Sequence, residues 1–143
     1  MQALCNLVKA YGPLAGRVLI TPLFLLSGFH KITGFAATAA AMANKGLPFS
    51  EFLLVGTIAF EIGGGLMVLL GWHARFGALL LAVFTIAATL VFHNFWAVEA
   101  AQYRGQLSQF MKNLAILGGL VYIMVAGSGP FSLGKAGKSA SAR

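Results

Sequence analysis

Two long stretches of this chain carry no formal charge: residues 76–98, between Arg75 and Glu99, and residues 113–134, between Lys112 and Lys135. A helix needs about 20 mostly apolar residues to cross a bilayer, and each stretch holds enough. Spans are expected near 76–96 and 110–127. Two further apolar segments qualify with a charge inside or beside them: 13–31, with Arg17, and 50–71, with Glu61 near its centre. Charged residues make up only 9% of the 143 residues, against roughly 25% in a soluble domain. A soluble globule cannot be coated so thinly, and disorder needs the opposite balance. The chain reads as an all-α integral membrane protein.

Four spans with short connections make an antiparallel four-helix bundle the economical architecture. Pro13 stands where a first helical position favours proline. Val18–Gly28 also has the length of a signal-peptide core, but its removal would deprive three spans of a packing partner. The longest connection, 32–49, includes an Ala-rich helix-capable stretch, Phe35–Asn44, ended by Lys45-Gly46-Leu47-Pro48. It serves as a spacer along the membrane surface or as a lid over one mouth of the bundle.

Ten Lys and Arg face three Glu and no Asp, a formal charge of +7. Several of these cations flank apolar runs, where they anchor helix ends and orient the chain; nucleic acid is not the expected partner. With the N-terminus cytoplasmic, Lys9, Arg17, Arg75, Lys135, Lys138 and Arg143 fall inside, and Lys31, Lys45, Arg104 and Lys112 outside. That bias favours N-in, C-in. Residues 128–143 read as a flexible basic tail near anionic head groups. The single cysteine, Cys5, excludes an internal disulfide or a CxxC redox pair.

Ionisable groups within a span are costly and mark function by default. Glu61 lies about ten residues from Glu51, hence roughly 15 Å below its helix end. Such a carboxylate is either protonated or paired. Gly63-Gly64-Gly65 follows it, and Ala59 with Gly63 forms a small-xxx-small pair that turns Glu61 inward. Arg17, on one stripe with Thr21, Phe24, Gly28 and Lys31, is either its partner or a cation reaching for the interface. A second polar group gathers at the outer helix ends: Ser27, His30, Lys31, His93, Asn94, Gln109, Lys112 and Asn113. Convergence of three helices predicts a polar pocket above Glu61. No two histidines stand three or four residues apart, so no metal site is expected.

The same residues carry a family resemblance. Arg17 followed by Ser27-Gly28-Phe29-His30-Lys31 resembles the first helix of the DoxX family of small membrane proteins. Glu61-Ile62-Gly63-Gly64-Gly65-Leu66, running on to Leu69-Leu70-Gly71 and Arg75, is similar to its second helix. His93-Asn94-Phe95-Trp96, and Lys112-Asn113-Leu114-Ala115 with Gly118-Gly119, resemble the third and fourth. The likeness runs over residues 13–127. It implies a four-helix protein of the bacterial inner membrane with a redox connection, since the family takes its name from a subunit of an archaeal thiosulfate:quinone oxidoreductase. A mycobacterial relative is associated with superoxide dismutase and a sulfurtransferase. Distant eukaryotic relatives include an endoplasmic-reticulum cargo receptor, so the fold does not fix the function.

Two readings follow. In the first, the protein is a quinone-linked redox subunit: His93, Asn94 or Lys112 binds the quinone head, and Phe24, Phe92 and Trp96 pack against it. Glu61 then accepts or relays a proton, and a partner protein supplies electrons. In the second it is a non-enzymatic binder, transporter component or scaffold, whose Lys31, Lys112 and Asn113 recognise an anionic or polar ligand. Homo-oligomerisation is compatible with both.

Overall fold

A computed structural model describes residues 1–134. Its helices are α1 (Gln2–Thr33), α2 (Phe35–Asn44), α3 (Ser50–Leu70), α4 (Ala74–Phe92) and α5 (Ala100–Ala126), with a 3-10 turn at Phe95–Ala97. All but α2 are long and apolar enough to cross a membrane. The antiparallel four-helix architecture is therefore the observed one, α3 lying between α1 and α4, and α5 against α4. The seam between α5 and α1 is the lightest in the bundle.

Two helices outrun their expected spans. α1 begins at Gln2, so Pro13 lies inside the helix rather than at its first turn. At 1.5 Å per residue a helix of 32 residues reaches about 48 Å, well beyond the roughly 30 Å of hydrocarbon. α5 starts ten residues before the expected position 110, and its added turns hold Gln102, Tyr103, Arg104 and Gln106. Those polar turns contribute no apolar signal, which is why hydropathy alone misses them.

The α3–α4 contact is set by glycine. A methyl group on Gly77 would stand 2.7 Å from Met67 Cβ and 2.9 Å from the Gly64 carbonyl oxygen. On α1, a methyl at Gly28 would meet Ile62 Cδ1 at 2.7 Å, and one at Gly65 would meet Leu25 Cδ2 at 2.8 Å. Backbones approach this closely only without side chains between them. Gly63 is different: it is exposed, and a methyl there would touch nothing within 4 Å. Gly64 and Gly65 make the close approaches that the small-xxx-small pattern assigns to Gly63. Phe24, Val68, Ala78, Leu81 and Leu120 fill the main core, while Ala39 and Met42 of α2 pack on Leu54 of α3.

Residues 128–134 do not behave as a free tail. They cross the end of the bundle where α3 stops, as a strap. Ser128 Oγ donates to the Gly71 carbonyl at 2.8 Å, the Leu133 amide donates to the Leu70 carbonyl at 2.9 Å, and Phe131 stacks on Tyr11 at 5.4 Å. Lys135, Lys138 and Arg143, on which the flexible-tail expectation also rests, lie outside the described residues.

Candidate ligand-binding site

Glu61 is 1% exposed and lies level with Gly28 of α1, where a methyl group would stand 3.4 Å from Glu61 Cβ. Because Gly28 has no side chain, the carboxylate meets what lies one turn farther along α1. That is Lys31, with Nζ at 3.0 Å from each carboxylate oxygen. The ammonium donates to Oε1 and, at 2.6 Å, to Ser27 Oγ. Oε2 receives no hydrogen bond and is buried. Lys31 Nζ also stands 5.8 Å from the centre of the Phe84 ring, within range of a cation–π attraction.

Arg17 is not the partner of Glu61. It is buried at the strap end, donating from Nη1 to the Leu69 carbonyl at 3.1 Å and from Nη2 to the Phe131 carbonyl at 2.8 Å. Nor does its guanidinium reach solvent, the residue being 1% exposed. A helix leaves its last carbonyls without amide donors, and a cation placed there satisfies them and suits the helix dipole. The guanidinium ties the end of α3 to the strap.

On the opposite side of Glu61 a cavity of about 860 Å³ opens among α1, α2, α3, α4 and α5. It is bordered by Ser27, Lys31, Glu61, His93, Lys112 and Asn113. The structure thus brings together six of the sequence-derived polar residues, from α1, α3, α5 and the C-terminal cap of α4. Asn94 is not on its wall; it begins the 3-10 turn, with Oδ1 buried and unpartnered. Phe24 and Phe92 line the cavity, whereas Trp96 belongs to an aromatic group with Phe95 and Phe110 outside it. The rest of the wall is largely apolar, including Phe52, Phe60, Val83 and Ile116, and α2 closes part of it through Thr38, Ala41 and Met42. The connection is therefore more than a spacer.

Three polar residues escaped the sequence reading. Gln106 Oε1 lies 3.0 Å from His93 Nδ1. With the amide oxygen accepting, Nδ1 carries the proton and Nε2 of the neutral ring is an acceptor. Thr85 and Thr89, one turn apart on α4, send their hydroxyls to the Leu81 and Thr85 carbonyls at 2.7 and 2.6 Å. Asn113 Nδ2 then donates to Thr89 Oγ1 at 2.8 Å, joining α5 to α4. The spacing of two threonines by four in an apolar span was the available signal. Lys112 donates to Gln109 on its own helix. Among the described residues, no three of His, Cys, Asp and Glu gather as a metal site.

Residues 12–94 match the family model described as DoxX. The chain belongs to the DoxX family. The matched segment holds Arg17, Lys31, Glu61, His93 and Asn94; Lys112 and Asn113 lie beyond it. Inner membrane protein YqjF of Escherichia coli (strain K12) is 38% identical over 122 residues, 85% of this chain and 88% of that one. Inner membrane protein YphA of the same organism is 26% identical over 120 residues, 84% and 86%. A Surfeit locus protein 4 homolog of Schizosaccharomyces pombe is 28% identical over 127 residues, 87% of this chain but only 37% of its own length. No solved structure matches the chain. With four spans and relatives of that kind, this DoxX protein is a multi-pass protein of the bacterial inner membrane. The DoxX match extends the family assignment to the cavity's α1, α3 and α4 walls.

Proposed function

We propose that this DoxX protein is the quinone-binding membrane subunit of an oxidoreductase assembly. One observation carries the reading: a single cavity in the bundle combines a long apolar wall with a compact polar group, Lys31, Glu61, His93, Lys112 and Asn113. A ligand matched to it has a polar head and an apolar tail. Its volume of about 860 Å³ is within the 300–1,000 Å³ or so of small-molecule sites. Glu61 Oε2, which faces the Lys31 ammonium at 3.0 Å without accepting a hydrogen bond from it, can accept one from a head that donates, as a quinol hydroxyl does, once Lys31 turns toward the head.

A quinone held there would supply the redox chemistry, taking two electrons and two protons and leaving as the quinol. The chain contributes binding and proton handling. Lys31, Lys112 and Asn113 supply donors for the head's oxygens, and the His93–Gln106 pair fixes the ring beside them. Glu61 holds a proton at Oε2 or passes it on. The electrons come from a partner protein, since one cysteine and no metal-ligand spacing leave this chain without a carrier of its own.

The test is titration of the purified protein with a ubiquinone analogue bearing a ten-carbon tail. Saturable binding at one per chain is expected, with stabilisation of about 2.7 kcal/mol at a hundred times Kd. Glu61→Gln and Lys112→Met should each weaken binding at least tenfold. Absence of saturable binding to the native protein overturns the reading. A second reading has its own support: the cavity holds Lys31 and Lys112 against one carboxylate, and Lys112 has the neutral Gln109 as its partner. That excess of positive charge suits an anionic amphiphile in a non-enzymatic binder or transporter component. Saturable binding of a fatty acid, with none of the quinone, would favour it.

A further inference from the structure

A second, smaller space adjoins the cavity. A side space of about 460 Å³ is lined by Leu23, Leu26, Ser27, His30, Lys31 and Thr38. Four of these, Leu23, Ser27, Lys31 and Thr38, also line the main cavity. The two spaces are therefore neighbours across one wall, a strip of α1 together with Thr38 of α2.

Helix geometry shows how the strip turns. At about 100° per residue, Phe24, Lys31, Ser27, Leu23, His30 and Leu26 follow one another around α1 over roughly 160°. The first of them is in the core, 2% exposed, and the last faces outward, 58% exposed. Ser27 and Lys31, which follow Phe24, are half-buried. Along the same seam, Ile20 Cδ1 lies within 3.1 Å of where a methyl on Gly119 would be, so α5 closes against α1 there. Two turns farther on, the side space is bordered on α1's flank by Thr38 of α2. α2 follows α1 directly at Gly34, and its Ala39 and Met42 are held against Leu54, so the gap is fixed by packing rather than by a loose loop.

We infer that this gap between α1 and α2 is a lateral doorway, through which a lipid-dissolved amphiphile enters and leaves the cavity, with the Lys31 side chain as its bolt. The inference deepens the binding reading above and rests on it for the nature of the cargo. The doorway's outer edge is apolar, Leu23 and Leu26, as a chain arriving from lipid requires. Its inner edge is Ser27 and Lys31, the first polar groups that an incoming head meets. Lys31 is the member of the ion pair with freedom to move: its side chain is 22% exposed, against 2% for Glu61. An oxygen on the head can take the Lys31 hydrogen that now goes to Ser27, and the chain then lies along the apolar wall.

The test needs no ligand. In a Cys5→Ser background, Ser27→Cys places a thiol on the shared wall, beside an ammonium that favours the thiolate. The protein is reconstituted in phosphatidylcholine vesicles and treated with pyrene maleimide, which partitions into lipid, or with a charged, water-soluble maleimide. The expected result is labelling by the lipid-borne reagent, slowed at least tenfold when either Leu26→Trp or Thr38→Trp narrows the gap. Thr38→Val, which keeps the size, should leave the rate unchanged, and a native-like unfolding midpoint of each Trp variant in detergent shows that it has folded. Labelling at an unchanged rate in both Trp variants overturns the doorway, as does a thiol reached by the charged reagent alone or by neither. Because the reagents are not ligands, a failed doorway leaves the quinone titration standing, and a failed titration leaves the doorway standing.

Discussion

Lys31 and Glu61 form a pair whose members are unequally exposed, and that inequality makes their substitutions unequal. Removing one partner of a buried ion pair typically costs about 3–5 kcal/mol, because the other charge is left uncompensated. Lys31→Met strands a carboxylate that is 2% exposed, whereas Glu61→Gln strands an ammonium that is 22% exposed. Lys31→Met should therefore be the more destabilising, and the double variant should lose less than the sum of the singles. Unfolding in detergent for all four proteins closes the cycle; additive losses would show that the two groups do not interact. That Glu61 is a buried carboxylate needing a partner was legible from its place in an apolar span. Its partner was not. Arg17 and Lys31 share one stripe of α1, and only the position of Gly28 against Glu61 decides which cation is in reach.

At the scale of elements, the glycine run after Glu61 illustrates what periodicity can and cannot read. Three consecutive glycines announce a close helix contact, but consecutive residues point about 100° apart, so not all can face a neighbour. Gly77→Ala should cost about 1–3 kcal/mol by overpacking against Met67. Gly63→Ala, into open space, should be neutral or stabilise by about 0.5–1 kcal/mol, since alanine loses less backbone entropy in a helix. Comparing unfolding midpoints of the two variants checks this, and equal losses would contradict the assigned faces. Arg17 offers a second test. Arg17→Gln removes the charge that binds the ends of α3 and the strap, so the Leu133 amide should exchange with solvent at least tenfold faster. Exchange at the native rate would mean that Ser128 and the Phe131–Tyr11 stack hold the strap unaided. The strap was illegible beforehand because its hydrogen bonds use backbone carbonyls, which any sequence supplies.

For the whole molecule, scarcity of charge announced the bilayer, and four apolar runs announced the bundle. The cavity followed from neither alone: it requires α2 to fold back on α3, where Thr38, Ala41 and Met42 close part of its wall. Orientation is the open property at this scale with the simplest test. N-in topology places Cys5, exposed near the start of α1, in the cytoplasm. A membrane-impermeant maleimide should leave intact spheroplasts unlabelled and react after lysis; labelling of intact spheroplasts would reverse the assignment. The proposal that the cavity holds a quinone meets its sharpest test in the organic extract of the protein purified in mild detergent, analysed by mass spectrometry beside that of Glu61→Gln. A quinone near one per chain is expected in the native protein, with a several-fold loss in the variant. Native protein whose extract holds phospholipid and detergent alone would contradict it.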